Sequence, residues 1–236
     1  MPWKLEACPS RGNVYERSDI ILRNLSDVRE RIARAAGKTG RDAHDITLVA
    51  VTKAVGVREV EALIDLGVCH FGENRVPGAL TKIQAIAAPV TWHFIGKVQR
   101  RKARDVVRHF DTIDSVDHLD VAEAIEHRAQ ESEKRLPVLV EVNVSGEESK
   151  HGIRPDELGC LLDATSHFAN VRVDGLMTMA PLTDDEARVR GVFAGLRGLA
   201  EQHGLRELSM GMSNDFEWAI EEGATQIRIG SRLFDG

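Results

Sequence analysis

Residues 46–60 read ITLVAVTKAVGVREV, an apolar, β-branched run that stops at Lys53. Short runs of this kind, bounded by turn residues, read as buried strands. Seven more follow: CHFGEN (69–74), TWHFIG (91–96), DTIDSV (111–116), PVLVEVNV (137–144), VRVDGLMTM (171–179), ELSMGMS (207–213) and QIRIGS (226–231). Amphipathic stretches of helical length lie between them, such as HLDVAEAIEHRAQESEKR at 118–135 and DDEARVRGVFAGLRGLAEQHG at 184–204. Such alternation forces parallel pairing, because each return crossover must be long enough to carry a helix. Eight repeats favour a single (β/α)8 TIM barrel over an open doubly wound sheet.

Only SRLFDG follows the last strand, too little for a full outer helix. Before the first strand, Ile21, Leu25, Val28, Ile32 and Ala35 share a helical face, and Gly37 is placed to end the run. This extra N-terminal helix, at about 14–36, is expected to fill the gap in the outer ring. The expected organisation is one domain over 1–236, with the barrel at about 46–234 and no C-terminal β domain. No linker or low-complexity tract divides it.

The 236 residues carry 37 acids and 31 bases, for a net charge of −6, which argues against nucleic acid as a partner. MPWKLEACPSRGN has no basic stretch leading into an apolar core, and no later segment is long and apolar enough to span a bilayer. No membrane association and a cytoplasmic location are therefore expected. Cys8, Cys69 and Cys160 are far apart, and the histidines form no HExxH pair, so no metal site is expected. GKT at 37–39 lacks the glycine that a P-loop needs five positions earlier, and reads as a helix cap. GMSND at 211–215 lacks the last glycine of a nucleophile elbow. Lys97, Arg100, Arg101, Lys102, Arg104 and Arg108 read as a solvated helix face, and His70 and His93 as hydrogen-bonded strand histidines.

Barrels of this class place function at the C-terminal ends of their strands, and phosphate sites commonly form from the loops after strands seven and eight. Here those loops are GMSND and RIGSR. Both combine small residues, whose N–H groups can approach an anion, with a hydroxyl, and Asn214 is placed to start a helix there. Lys53 ends the first strand, which adjoins the eighth after closure. A phosphate and an amine so placed suggest a phosphorylated aldehyde, and pyridoxal 5'-phosphate fits both. The aldehyde condenses with a neutral amine, so the reading calls for a lysine in desolvated surroundings or beside other cations.

VAVTK (49–53), FGEN (71–74), WHFIGKVQ (92–99), SKHG (149–152), GLMTM (175–179), GMSNDFEWAI (211–220) and RIGSRLF (228–234) together resemble the pyridoxal phosphate homeostasis proteins. These are single-domain relatives of the alanine racemase barrel, the type III fold for this cofactor. The resemblance runs from about Ile46 to Phe234 with the motifs in order. It implies that Lys53 forms the Schiff base, an internal aldimine, and that Asn74 lies beside the cofactor. Ser213, Gly230 and Ser231 would hold the phosphate, with Met212 lining the same loop. Arg228 would face the pyridine nitrogen and leave it unprotonated, which makes the ring a poorer electron sink. Two departures stand out: Gln99, Arg100, Arg101, Lys102 replaces the family's QxNK, and Phe234, Asp235, Gly236 replaces its terminal FG.

Alanine racemases set a tyrosine from an added domain against the Schiff-base lysine. The only tyrosine here, Tyr15, precedes the barrel and reads as packing or surface. The expectation is a carrier without catalytic residues that buffers the cofactor or delivers it to PLP-dependent apoenzymes, as a monomer or weak dimer. A small racemase or decarboxylase is the alternative. A Schiff-base aldolase for a sugar phosphate is disfavoured by the resemblance and by the lack of a clear acid/base partner for Lys53.

Overall fold

The computed structural model describes residues 12–236, with side-chain environments from residue 17 onward. Cys8 and the side chain of Tyr15 lie outside what is described. Eight parallel strands close into a barrel in chain order: β1 (Thr47–Val51), β2 (His70–Glu73), β3 (Thr91–Phe94), β4 (Thr112–Val116), β5 (Leu136–Glu141), β6 (Val171–Met177), β7 (Glu207–Ser209) and β8 (Gln226–Ile229). Seven fall within the runs read from the sequence, and β5 begins one residue before its run, at Leu136. β8 meets β1 with Val49 opposite Arg228 and Ala50 opposite Ile229, so the two strands end side by side.

The outer ring comprises α2 (Val57–Asp65), α3 (Val76–Ala85), α4 (Ala103–His109), α5 (Leu119–Glu131), α6 (Leu158–Thr165), α7 (Glu186–His203) and α8 (Phe216–Glu221), with a single turn, α9 (Ser231–Phe234), after β8. The preceding helix α1 (Gly12–Lys38) packs against α2, α8 and α9 and fills the gap left by so short a final helix. Its face Ile21, Leu25, Val28, Ile32 and Ala35 is buried, as the period predicts. Asn24 donates to the Asp235 carbonyl at 2.8 Å, and the Arg31 guanidinium pairs with Glu217 and lies 4.8 Å over the Phe216 ring. One boundary differs from expectation. The helix runs through Gly37 to Lys38, and Gly40, at φ +72°, turns the chain while Arg41 N–H closes on the Ala36 carbonyl.

Apolar side chains from the sheet and the helices fill the layer between them, among them Phe71, Phe110, Phe193 and Phe216. Barrels of this class usually fill the interior with branched apolar residues. Here it also holds a polar chain: His70 Nδ1 lies 2.9 Å from His93 Nε2, and His93 Nδ1 lies 2.9 Å from Asp114 Oδ2. The six basic residues at 97–108 are all exposed, as expected of a solvated face. Among the described residues, no helix is long and apolar enough to cross a membrane, and no cluster of three His, Cys, Asp or Glu residues could hold a metal.

Candidate functional site

The loop after β7 is shaped by a glycine that must be glycine. Gly211 adopts φ +91°, and a Cβ there would stand 2.5 Å from Ala219 Cβ and 2.9 Å from Phe216 Cα. This tight approach seats the loop on α8. Asp215, not Asn214, precedes that helix, and its Oδ1 accepts the Met212 N–H at 2.5 Å. Burial pushes the Asp215 carboxyl above its ordinary range, while the Met212 N–H and the Arg228 charge oppose the shift. Asn214 stays exposed, so its expected helix-starting role passes to its neighbour.

Ser213, Ser231 and Arg232 share a cleft of about 590 Å³ with Arg23, Asn24 and Asp27 of α1. Arg232 Nε donates to the Ser213 carbonyl at 3.1 Å, tying the two loops together. The N–H groups of Ser213 and Asn214 find no acceptor among the described residues, and the first N–H groups of any helix, here α9, have none within it. Unengaged backbone donors, two hydroxyls and two guanidinium groups form a donor set suited to a phosphate, beside the carboxylates of Asp27, 3.8 Å from the Arg232 guanidinium, and Asp235 in the same cleft. The participation of α1 through Arg23 was missed from the sequence, because that helix reads there only as an outer-ring packing element.

Gly230 connects this cleft to β1. A Cβ on it would lie 3.5 Å from Val51 Cβ and 3.6 Å from the Val51 carbonyl oxygen, so the two strand ends touch across the seam. Lys53 stands two residues past Val51, in the loop after β1. The structure departs from expectation in its surroundings: Lys53 is exposed, not desolvated, and its amine takes no hydrogen bond or ion pair among the described residues. Asn74, half-buried, follows β2 directly, and its carbonyl leaves room only for a glycine at 96, where a Cβ would come within 2.3 Å.

Arg228 is buried within the barrel and donates to Ser209 Oγ at 2.7 Å and the Thr178 carbonyl at 2.9 Å. Burial works against its charge, and the carboxylates of Asp114, Glu141 and Asp215 support it. Glu141, the last residue of β5, is pushed from the ordinary glutamate value of 4.5 to about 7 by burial and then by Asp117, with Arg228 and Lys97 acting in the opposite sense. Asp117 is itself buried, with one carboxylate oxygen unpartnered and the other 3.5 Å from the Lys97 amine. Sequence spacing gives no signal for this acid pair; its members are 24 residues apart and meet because β4 and β5 pair side by side, with Val116 opposite Val140.

The mouth of the barrel therefore brings Ser213, Gly230 and Ser231 to one side and Lys53 beside them across the seam. Met212 is part of the same loop, with Arg228 inside the barrel and Asn74 at the neighbouring strand end. The alanine racemase N-terminal domain family matches residues 24–236. A pyridoxal phosphate homeostasis protein of Pseudomonas aeruginosa is 42% identical over 220 residues, covering 91% of this chain and 94% of the relative. The structure of PipY from Synechococcus elongatus, solved with PLP bound, superposes with a TM-score of 0.75 at 34% identity, covering 88% of this chain and 99% of PipY. A crystal structure of a Bifidobacterium adolescentis protein reaches a TM-score of 0.86 at 34% identity over 97% of this chain and 98% of its own. The chain thus belongs to the alanine racemase N-terminal domain family and, within it, to the pyridoxal phosphate homeostasis proteins.

Proposed function

We propose that this chain binds pyridoxal 5'-phosphate reversibly, holds it covalently on Lys53 and serves in its homeostasis, with little or no catalysis. The observation that carries the reading is the contact of Gly230 with Val51, which sets an anion-suited cleft beside the loop bearing an unengaged amine. The name of the Pseudomonas relative and the ligand held by PipY support the same ligand here. When bound, the cofactor supplies an aldehyde. Lys53 would supply the amine that condenses with that aldehyde, with loss of water.

Ser213 and Ser231 donate hydroxyl and backbone hydrogen bonds to the phosphate, with Gly230 allowing close approach and Met212 lining the loop. Arg228 offers only donors, so it leaves an opposing ring nitrogen unprotonated. Asn74 borders the cofactor. PLP-dependent apoenzymes are the recipients in this reading. Borohydride reduction of the loaded protein followed by peptide mass analysis should place the label on Lys53. A label confined to another lysine would refute the assignment.

One observation favours the alternative, a slow racemase or decarboxylase. Glu141, at about 7, exchanges protons at neutral pH near Arg228. Deuterium uptake at the α-carbon of an amino acid, lost in Glu141→Gln, would establish it. Uptake equal to that of free cofactor would exclude it.

A further inference from the structure

Lys82 sits in the middle of α3, yet only 5% of it is exposed. Its amine donates to Glu73 Oε1 at 2.6 Å and to the Thr52 carbonyl at 2.5 Å. Thr52 Oγ1 donates to the same Glu73 oxygen at 2.6 Å. Strand alternation turns Glu73 to the face opposite Gly72, so the pair lies behind the barrel wall, on the helix side. A buried ion pair of this kind rarely adds stability over apolar residues of equal volume. Stability is therefore a poor account of why a lysine is buried here.

The Thr52 carbonyl belongs to the peptide that leads directly into Lys53. It also accepts the Val55 N–H at 3.1 Å, so it closes the turn that carries Lys53. We infer that Lys82, held by Glu73, is a positioning residue for Lys53: it pins the Thr52 carbonyl from behind the sheet and so fixes the start of the loop that presents the reactive amine. The inference rests on the proposed attachment to Lys53. It concerns orientation, because Lys82 itself is shut away from the mouth.

The test compares the native protein with Lys82→Arg and with the double variant Glu73→Leu/Lys82→Met, which removes both charges and so avoids stranding one of them. Amide hydrogen exchange at Val55 is read first, in cofactor-free protein. Exchange in the double variant should rise about tenfold or more, the loss of one hydrogen bond to a charged group expressed as a rate ratio, while core amides of β1 and β2 stay protected. The rate of visible-band formation with pyridoxal phosphate should fall in parallel, and Lys82→Arg should recover part of it. Lys53 acylation by a small neutral reagent should not fall, since the amine remains chemically intact. Unchanged Val55 exchange in the double variant, or unchanged band formation despite faster exchange, would overturn the inference. A native protein that forms no visible band would instead sink the attachment to Lys53, a failure the exchange measurement distinguishes.

Discussion

Gly230 and Val51 are in contact at the ends of β8 and β1, with the Val51 carbonyl 3.6 Å from where a Gly230 Cβ would lie. Because a barrel closes its first strand on its last, residues nearly 180 positions apart become neighbours. The Ser213 and Ser231 loops fall on one side of that seam and Lys53 on the other.

Ser213→Ala and Ser231→Ala should each weaken pyridoxal phosphate binding by about 1.5–3 kcal/mol, the worth of a hydrogen bond to a charged acceptor. Titration calorimetry checks this. Unchanged affinity in both would remove the phosphate from this cleft.

Gly211→Ala should destabilise the fold by about 2–5 kcal/mol, combining a left-handed backbone with a Cβ forced into Ala219 and Phe216. Urea unfolding measures it. A loss below 0.5 kcal/mol, the scale of ordinary surface changes, would mean that the loop has another seat on α8.

Lys82→Met alone should cost about 3–5 kcal/mol, because it leaves Glu73 charged and buried without its counter-charge, with only the Thr52 hydroxyl still donating to it. Adding Glu73→Leu should return most of that stability. If the double variant is no more stable than the single one, the cost does not come from the stranded carboxylate.

Glu141 makes stability fall as pH rises. Its carboxyl ionises near 4.5 when unfolded and at about 7 when folded. Between those values the unfolded chain has released the proton and the folded chain still holds it, so unfolding is favoured increasingly up to about pH 7 and levels off above. The full effect is on the order of 3 kcal/mol. Glu141→Gln should flatten this part of the profile and stabilise the protein at pH 8. An unchanged profile would show that another group governs it.

Much of this was legible in the sequence because strand–helix alternation and closure order are properties of the chain itself. Eight apolar runs sufficed to place Lys53 beside the GMSND and RIGSR loops. What was not legible depends on angles and depths. Lys82 looks like any polar residue of VPGALTKIQA, and only packing of α3 on the sheet brings its amine to Thr52. The desolvation expected around Lys53 is found instead at Lys82 and Glu141. Cap positions shifted by one to three residues, from Asn214 to Asp215 and from Gly37 to Gly40, because several turn-forming residues stand together at each place and the local tertiary contacts choose between them.

The attachment to Lys53 is tested most directly by the visible absorption spectrum of the purified protein mixed with pyridoxal phosphate, read beside Lys53→Ala. The account predicts a Schiff-base band in the native protein that is lost in the variant. A native protein that stays colourless, or a band that survives Lys53→Ala, would contradict it.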